Sequence, residues 1–198
     1  MVKQVILLSG TPCVGKTSVA HYLTPRLDAL YVNLTDLATH ENLILGKDEE
    51  RNTTIVDEVK MKRRINQIVT KSDKQNVIID GHYAVNVVPK KLVTRVFVLR
   101  RDPVELRKFM TNSGYSERKL NENLASEILD VCLIDAINAV GATKVCEINI
   151  TGKTVEKTSE EILSLIYDPS KCVVGTVDWL GKLESEGLLD KYLKTWLP

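Results

Sequence analysis

Eight residues constrain this chain more than any others: Gly10-Thr11-Pro12-Cys13-Val14-Gly15-Lys16-Thr17. They fit the pattern G-x-x-x-x-G-K-[ST] at each fixed position. The apolar run Val5-Ile6-Leu7-Leu8 leads into them, and a helical pattern over Lys16 to Leu27 follows. A strand, a glycine-hinged loop and a helix in that order form a cradle for an anion. Gly10 and Gly15 let the backbone curl so that successive N–H groups converge. The helix directs the positive end of its dipole at the same point. In such a loop Lys16 neutralises the β- and γ-phosphates and the Thr17 hydroxyl ligates Mg²⁺. Ser18 adds a hydroxyl toward the α-phosphate. Cys13 and Val14 offer backbone N–H groups, and Cys13 also carries a thiol inside the loop. The expected ligands are ATP and Mg²⁺.

The rest of the chain repeats the strand-then-helix rhythm. Short apolar runs recur at Leu30-Tyr31-Val32, Val77-Ile78-Ile79, Val96-Phe97-Val98-Leu99 and Val145 to Ile150. They are rich in β-branched residues and most lack polar alternation, as strands buried on both faces do. Helical stretches separate them: Thr54 to Thr70, Pro103 to Thr111, one long helix over Ser116 to Val140, and Val155 to Ile166. This alternation predicts an α/β fold, a five-stranded parallel sheet with helices on both faces. Asp168-Pro169 breaks the pattern. Val177 to Leu197 then reads as two short amphipathic helices split near Gly187, carrying Leu180, Leu183, Leu188, Leu189, Leu193 and Trp196. The expected organisation is a core over 1–166 and a helical extension over 167–198 packed on it.

Composition narrows the class. With 198 residues, 43% of them hydrophobic, the chain suits one domain with a small appendage. A net charge of +1 supplies no global field for strong direct binding to nucleic acid or to an anionic membrane. No apolar stretch approaches the ~18 residues of a membrane span. The cysteines, Cys13, Cys132, Cys146 and Cys172, form no C-x-x-C pair. Neither a zinc site nor a disulfide framework is expected, and free thiols suit a cytoplasmic protein.

A phosphate loop needs a carboxylate on a neighbouring strand to hold the magnesium shell. Asp80, closing the run Val77-Ile78-Ile79, is the candidate. His82, two residues on, points to the same side in an extended chain. It either orients a water or switches with the nucleotide state, titrating near neutral pH, or it braces the following loop. Arg100 and Arg101 leave the fourth strand at its carboxyl edge, where ligands bind in such sheets. They either brace the transferring phosphates or stay as surface charges, Arg101 pairing with Asp102.

Four segments together resemble one family in the same order. They are the loop Gly10 to Ser18, the stretch Val32-Asn33-Leu34-Thr35-Asp36-Leu37-Ala38, the triplet Asp80-Gly81-His82, and the block Gly114-Tyr115-Ser116-Glu117-Arg118-Lys119-Leu120-Asn121-Glu122-Asn123. The family is the adenylate kinase isoenzyme 6 family, also called the coilin-interacting nuclear ATPase family, in its archaeal form. The resemblance covers roughly Val2 to Ile166. It implies a nucleoside monophosphate kinase core with strand order 2-3-1-4-5, a monophosphate-binding segment over 33–56 and a short zinc-free lid over 112–122. It implies AMP or another nucleoside monophosphate as acceptor and an added ATPase activity. It also implies a role in late maturation of the small ribosomal subunit through a platform protein of that subunit. Arg118 joins Lys16, Asp80 and His82 as a catalytic candidate, and Lys153, in Thr151-Gly152-Lys153, falls where the family meets the adenine base. Cys13 replaces a common glycine, and Ser113 and Thr39 replace common arginines.

Three activities remain open at this point. One is phosphoryl transfer from ATP to AMP, which demands exclusion of water. The second is an ATP-hydrolysing switch acting on a ribosomal protein. The third, weaker, is a kinase for another small hydroxyl substrate.

Overall fold

The structure is a computed structural model that describes residues 3–48 and 53–193. In chain order the elements begin β1 (Gln4–Ser9), α1 (Lys16–Arg26), β2 (Ala29–Asn33), α2 (Leu34–His40), β3 (Ile44–Asp48), β4 (Thr53–Val56) and α3 (Glu58–Lys71). They continue with β5 (Asn76–Asp80), α4 (Ala84–Val87), β6 (Arg95–Arg100), α5 (Pro103–Asn112), α6 (Glu117–Ile128) and α7 (Val131–Val140). The last are β7 (Val145–Asn149), α8 (Val155–Tyr167), α9 (Trp179–Ser185) and α10 (Leu189–Leu193).

β2-β5-β1-β6-β7 form one sheet, and its pairings are parallel. Counted along this sheet alone, the order is 2-3-1-4-5, as the resemblance implies. The register places Asp80 opposite both Leu8 and Asn33. The carboxyl ends of β1, β2 and β5 therefore finish level, at the edge where the phosphate loop begins. Apolar side chains pack on both faces. Leu7, Val77, Ile79, Val96 and Val98 face α3, α4 and α7, while Ile6, Leu8, Ile78, Phe97 and Leu99 face α1 and α8.

Three sequence expectations change. The helix expected from Thr54 begins at Glu58, where the Asp57 side chain accepts from the Lys60 N–H at 3.0 Å. Thr53–Val56 instead pairs antiparallel with Ile44–Asp48 as a hairpin outside the main sheet. The single long helix over Ser116 to Val140 is broken. Asp130 takes a left-handed φ of 58°, and Arg100 Nη2 reaches in from β6 to the Glu127 carbonyl (2.9 Å) and to Asp130 Oδ1 (2.5 Å). Leu124, Ile128, Leu133 and Ala136 stay buried on either side of the break, so their periodicity hides it. Finally, Cys146 and Cys172 are joined in a disulfide, Cα–Cα 4.8 Å. α8 returns the chain along the sheet and brings together residues that lie far apart in sequence, leaving Cys13 and Cys132 as thiols. Among the described residues, no helix is long and apolar enough to cross a membrane.

After α8 the chain crosses beside β7, the Glu147 N–H donating to the Val173 carbonyl at 2.9 Å. Val177, Trp179, Leu183 and Tyr192 are then buried against Leu106 and Met110 of α5 and Leu120 and Leu124 of α6. The break between α9 and α10 falls at Gly187, φ 66°. Trp196 and Leu197 lie outside the described residues.

Candidate active site

The loop between β1 and α1 is held from its first residue. Gly10 has φ 130°, and a Cβ there would stand 2.5 Å from the Leu99 carbonyl oxygen. Only glycine fits so close to β6. Gly15 caps α1 with φ 112° and Cys13 sits at φ 64°. The Val14 N–H donates to the Thr11 carbonyl (3.3 Å) and its side chain is buried. Lys16 Nζ donates to the carbonyls of Gly10 (2.8 Å) and Thr11 (2.9 Å). Burial pulls the Lys16 ammonium below its ordinary range, against the field of Asp80, Cys132, Cys13 and Glu127. Ser18 is exposed in the first turn of α1.

Across the loop, Thr17 Oγ1 donates to Asp80 Oδ2 at 2.7 Å. Tyr31 OH (3.0 Å) and Asn33 Nδ2 (3.2 Å) donate to the same oxygen. Burial, with Asp80 close by, pushes the Tyr31 phenol up to about 12, so it stays a donor. A hydroxyl beside an anchored carboxylate, both hard oxygen donors at the mouth of a phosphate loop, is a donor set suited to Mg²⁺. Gly81 follows because a Cβ there would stand 2.7 Å from Leu34 Cδ1. His82 stacks edge-on against Tyr83, centroids 5.0 Å apart. Its ring opens on the cleft although protein crowds it. That crowding, with Lys16 and Lys119, holds the imidazole at about 4, so His82 is neutral at pH 7 rather than titrating there.

These groups share a cleft of about 700 Å³. Pro12, Cys13, Lys16 and Thr17 line one side. Thr35, Ala38 and Thr39 of α2 and Thr54, Ile55 and Val56 of the hairpin line another. Tyr115, Lys119, Glu122 and Asn123 close it from α6 and the turn before it. Its volume is that of a small-molecule site.

Comparison with known proteins agrees with this geometry. The profile of the AAA domain family matches residues 6–130. A protein of Pyrococcus furiosus named "Putative adenylate kinase" is 39% identical over 176 residues, covering 88% of this chain and 91% of its own. One of the same name from Methanocaldococcus jannaschii is 33% identical, covering 89% and 93%. The chain belongs to this archaeal adenylate kinase family. Among solved structures, the shikimate kinase of Acinetobacter baumannii superposes with a TM-score of 0.61 at 14% identity, covering 85% of this chain and 96% of its own. The thymidylate kinase of Candida albicans gives 0.55 at 13%, covering 85% and 93%. The fold is that of the P-loop kinases, and family membership makes the chain a kinase-type enzyme.

Within this family member, several expected site residues stand elsewhere. Arg100 does not face the cleft. It is 1% exposed and bound to Glu127, Glu147 and Asp130; burial alone would lower the guanidinium, but Glu127 and Asp130 hold it up. Arg101 takes the place beside the loop. Its Nε donates to the Val14 carbonyl (3.4 Å), it lies over the Phe109 ring, and its partner is Glu105. Asp102 instead caps α5 through the Val104 N–H (2.7 Å) and pairs with Lys182 (2.9 Å). Arg118 is exposed and pairs with Glu122 (3.3 Å), which lines the cleft, but Arg118 is not itself among the cleft-lining residues. Lys153 pairs with Glu161 (2.6 Å), while the neighbouring Gly152 N–H donates to Glu105 Oε2 (3.1 Å), beside Arg101. Sequence reasoning missed Tyr31 and Asn33, although they alternate on one face of β2. It also missed Glu127, an acid set among the buried apolar positions of α6.

Proposed function

We propose that this protein transfers the γ-phosphoryl group of Mg²⁺-ATP to AMP, giving two ADP, and hydrolyses ATP in a slower side reaction. The observation that carries the reading is the Thr17–Asp80 contact at 2.7 Å, set where the phosphate loop opens into a cleft shared with α2 and the hairpin. Lys16, Gly15 and the N–H groups of the loop would hold the β- and γ-phosphates. Thr17 would ligate Mg²⁺ and Asp80 would hold it through water. Bound there, Mg²⁺ would supply positive charge against the negative charge that grows on the phosphates. A phosphate oxygen of AMP, held in the 33–56 segment, attacks the γ-phosphorus. The bond from that phosphorus to the β–γ bridging oxygen breaks, and ADP leaves. The segment 112–122, with Tyr115 and Lys119, would act as the lid that keeps water out.

A second reading has support in His82. A neutral imidazole at the cleft accepts a hydrogen bond from a water, which favours hydrolysis. Of the described cleft-lining residues, the two cations are Lys16 and Lys119, neither of them on α2 or the hairpin strands. That distribution favours an ATPase with modest grip on a monophosphate. The resemblance extends this reading to an ATP-driven switch on a platform protein of the small ribosomal subunit, in the cytoplasm. Product analysis separates the readings. Stoichiometric ADP from ATP plus AMP supports the kinase. Inorganic phosphate from ATP alone, accelerated by the platform protein and indifferent to AMP, rejects it.

A further inference from the structure

Behind the phosphate loop lies a buried ionic cluster that the phosphate chemistry does not use. Arg100 is 1% exposed, Glu127 1% and Glu147 5%. Arg100 donates to Glu127 Oε1 (2.8 Å), Glu147 Oε1 (2.7 Å) and Asp130 Oδ1 (2.5 Å). Three carboxylates thus face one guanidinium. Buried carboxylate oxygens need further donors or the burial is costly.

One is the Arg101 N–H, which donates to Glu127 Oε1 at 3.2 Å, and the others come from two distant parts of the chain. Thr11 Oγ1, inside the phosphate loop, donates to Glu127 Oε2 at 2.5 Å. The indole N–H of Trp179, in the C-terminal segment, donates to Glu127 Oε1 at 3.0 Å. The N–H and hydroxyl of Thr176 donate to Glu147 Oε2 at 2.7 and 3.1 Å. One carboxylate therefore ties the loop to the tail. The connection continues into the site, because the Thr11 carbonyl accepts from Lys16 Nζ at 2.9 Å. Glu127 also shares α6 with Lys119 and Asn123, which line the cleft.

We propose that Glu127 is a positioning residue of the phosphate loop, and that the C-terminal segment sets it through Trp179. Glu127 fixes the side chain of Thr11, and the backbone of Thr11 in turn fixes the Lys16 ammonium. Glu127 Oε1 is also held by Arg100 Nε and the Arg101 N–H, so loss of the Thr11 or the Trp179 hydrogen bond shifts the carboxylate toward that remaining pair and loosens the loop from its phosphate-binding form. The tail is in this sense part of the nucleotide site without touching nucleotide. The inference rests on the loop binding ATP, as proposed above.

The test uses the full chain. It has two tryptophans, so Trp196→Phe leaves Trp179 as the sole indole. Its emission should change on adding Mg²⁺-ATP, a signal that a remote structural brace would not give. Thr11→Val keeps the shape and removes the donor. It should raise KM for ATP about tenfold, inside the ~10²-fold that misplacing a binding group by ~1 Å produces. Thr11→Ser should restore the native KM, and Trp179→Phe should reproduce the rise. A silent Trp179 together with a native KM in Thr11→Val overturns the inference. If Trp179→Phe fails to fold, the Thr11 pair and the emission signal still decide. Equilibrium dialysis of ATP with the unaltered chain separates the two levels. Absence of binding removes the nucleotide reading and this inference with it, whereas binding with a silent Trp179 and a native KM in Thr11→Val removes this inference alone.

Discussion

The two halves of the cleft are built differently. On the phosphate-loop side the backbone is held at each turn: Gly10 against the Leu99 carbonyl, Lys16 on two carbonyls, Thr17 on Asp80. On the other side, α2 offers the exposed Thr35 and Thr39, and the hairpin presents Ile55 at 47% exposure. The first half holds its form through its own hydrogen bonds. The second leaves hydroxyl and apolar surface for its occupant to organise. Binding at a preorganised site costs less ordering than binding at one that must be assembled. The contrast predicts that ATP is gripped by a rigid frame and the acceptor by a conformable one.

Four substitutions test that contrast, from the largest expected effect downward. Lys16→Ala strikes the rigid half. Removal of one preorganised donor at developing charge costs ~10²-fold or more in kcat, and kinase and ATPase rates should fall together. Near-native turnover in both assays would show that the loop is not the phosphate site. Asp80→Asn should come next. Loss of a group that orients a metal shell typically costs ~10–100-fold in metal affinity, so both reactions should need correspondingly more Mg²⁺. An unshifted Mg²⁺ titration would remove Asp80 from the metal site.

His82→Ala should separate the two activities. ATP hydrolysis should drop about tenfold, less than the ~10²-fold of a full general base, while ADP formation from AMP falls less, because AMP brings its own nucleophile. Equal losses in both would leave His82 as a brace for the loop after β5. The smallest effect is expected in the conformable half. Thr39→Arg would add a cation beside Thr35 and Thr54. One partly exposed charge-assisted hydrogen bond, about 1.4 kcal/mol, corresponds to about tenfold. KM for AMP should fall by up to that factor with KM for ATP unchanged. If both KM values move, the two halves are not independent.

The difference between the halves also explains what could be read from the sequence. The phosphate loop was legible because its geometry is local: glycines at φ 130° and 112° between a strand and a helix leave a pattern in consecutive residues. Asp80 was legible because it ends an apolar strand. The sheet followed from alternation alone. What stayed hidden depends on contacts between distant residues. Arg100 and Arg101 are neighbours at one strand end, and only the break after α6 shows which turns inward. The Cys146–Cys172 bridge spans 26 residues and needed α8 to bring its ends together. The strands over 44–48 and 53–56 lack strong alternation, and they pair with each other outside the main sheet. Glu127 left a trace, since Leu120, Leu124, Glu127 and Ile128 share one helical face, yet an acid on an apolar stripe does not reveal its partners.

The hydrogen bond from Trp179 to Glu127 also bears on how the protein is made. A chain is synthesised from its amino end, and the parts that emerge first begin to fold first. The octapeptide loop leaves the ribosome first, then α6, and Trp179 after both. A nascent fragment that ends between Asn149 and Thr176 holds the whole loop and the strands of the main sheet. It still lacks the donors that complete Glu127 and Glu147. On the inference drawn above, a fragment that carries the loop and the sheet but ends before Trp179 lacks the hydrogen bond that sets Glu127, and it should grip nucleotide less tightly than the full chain.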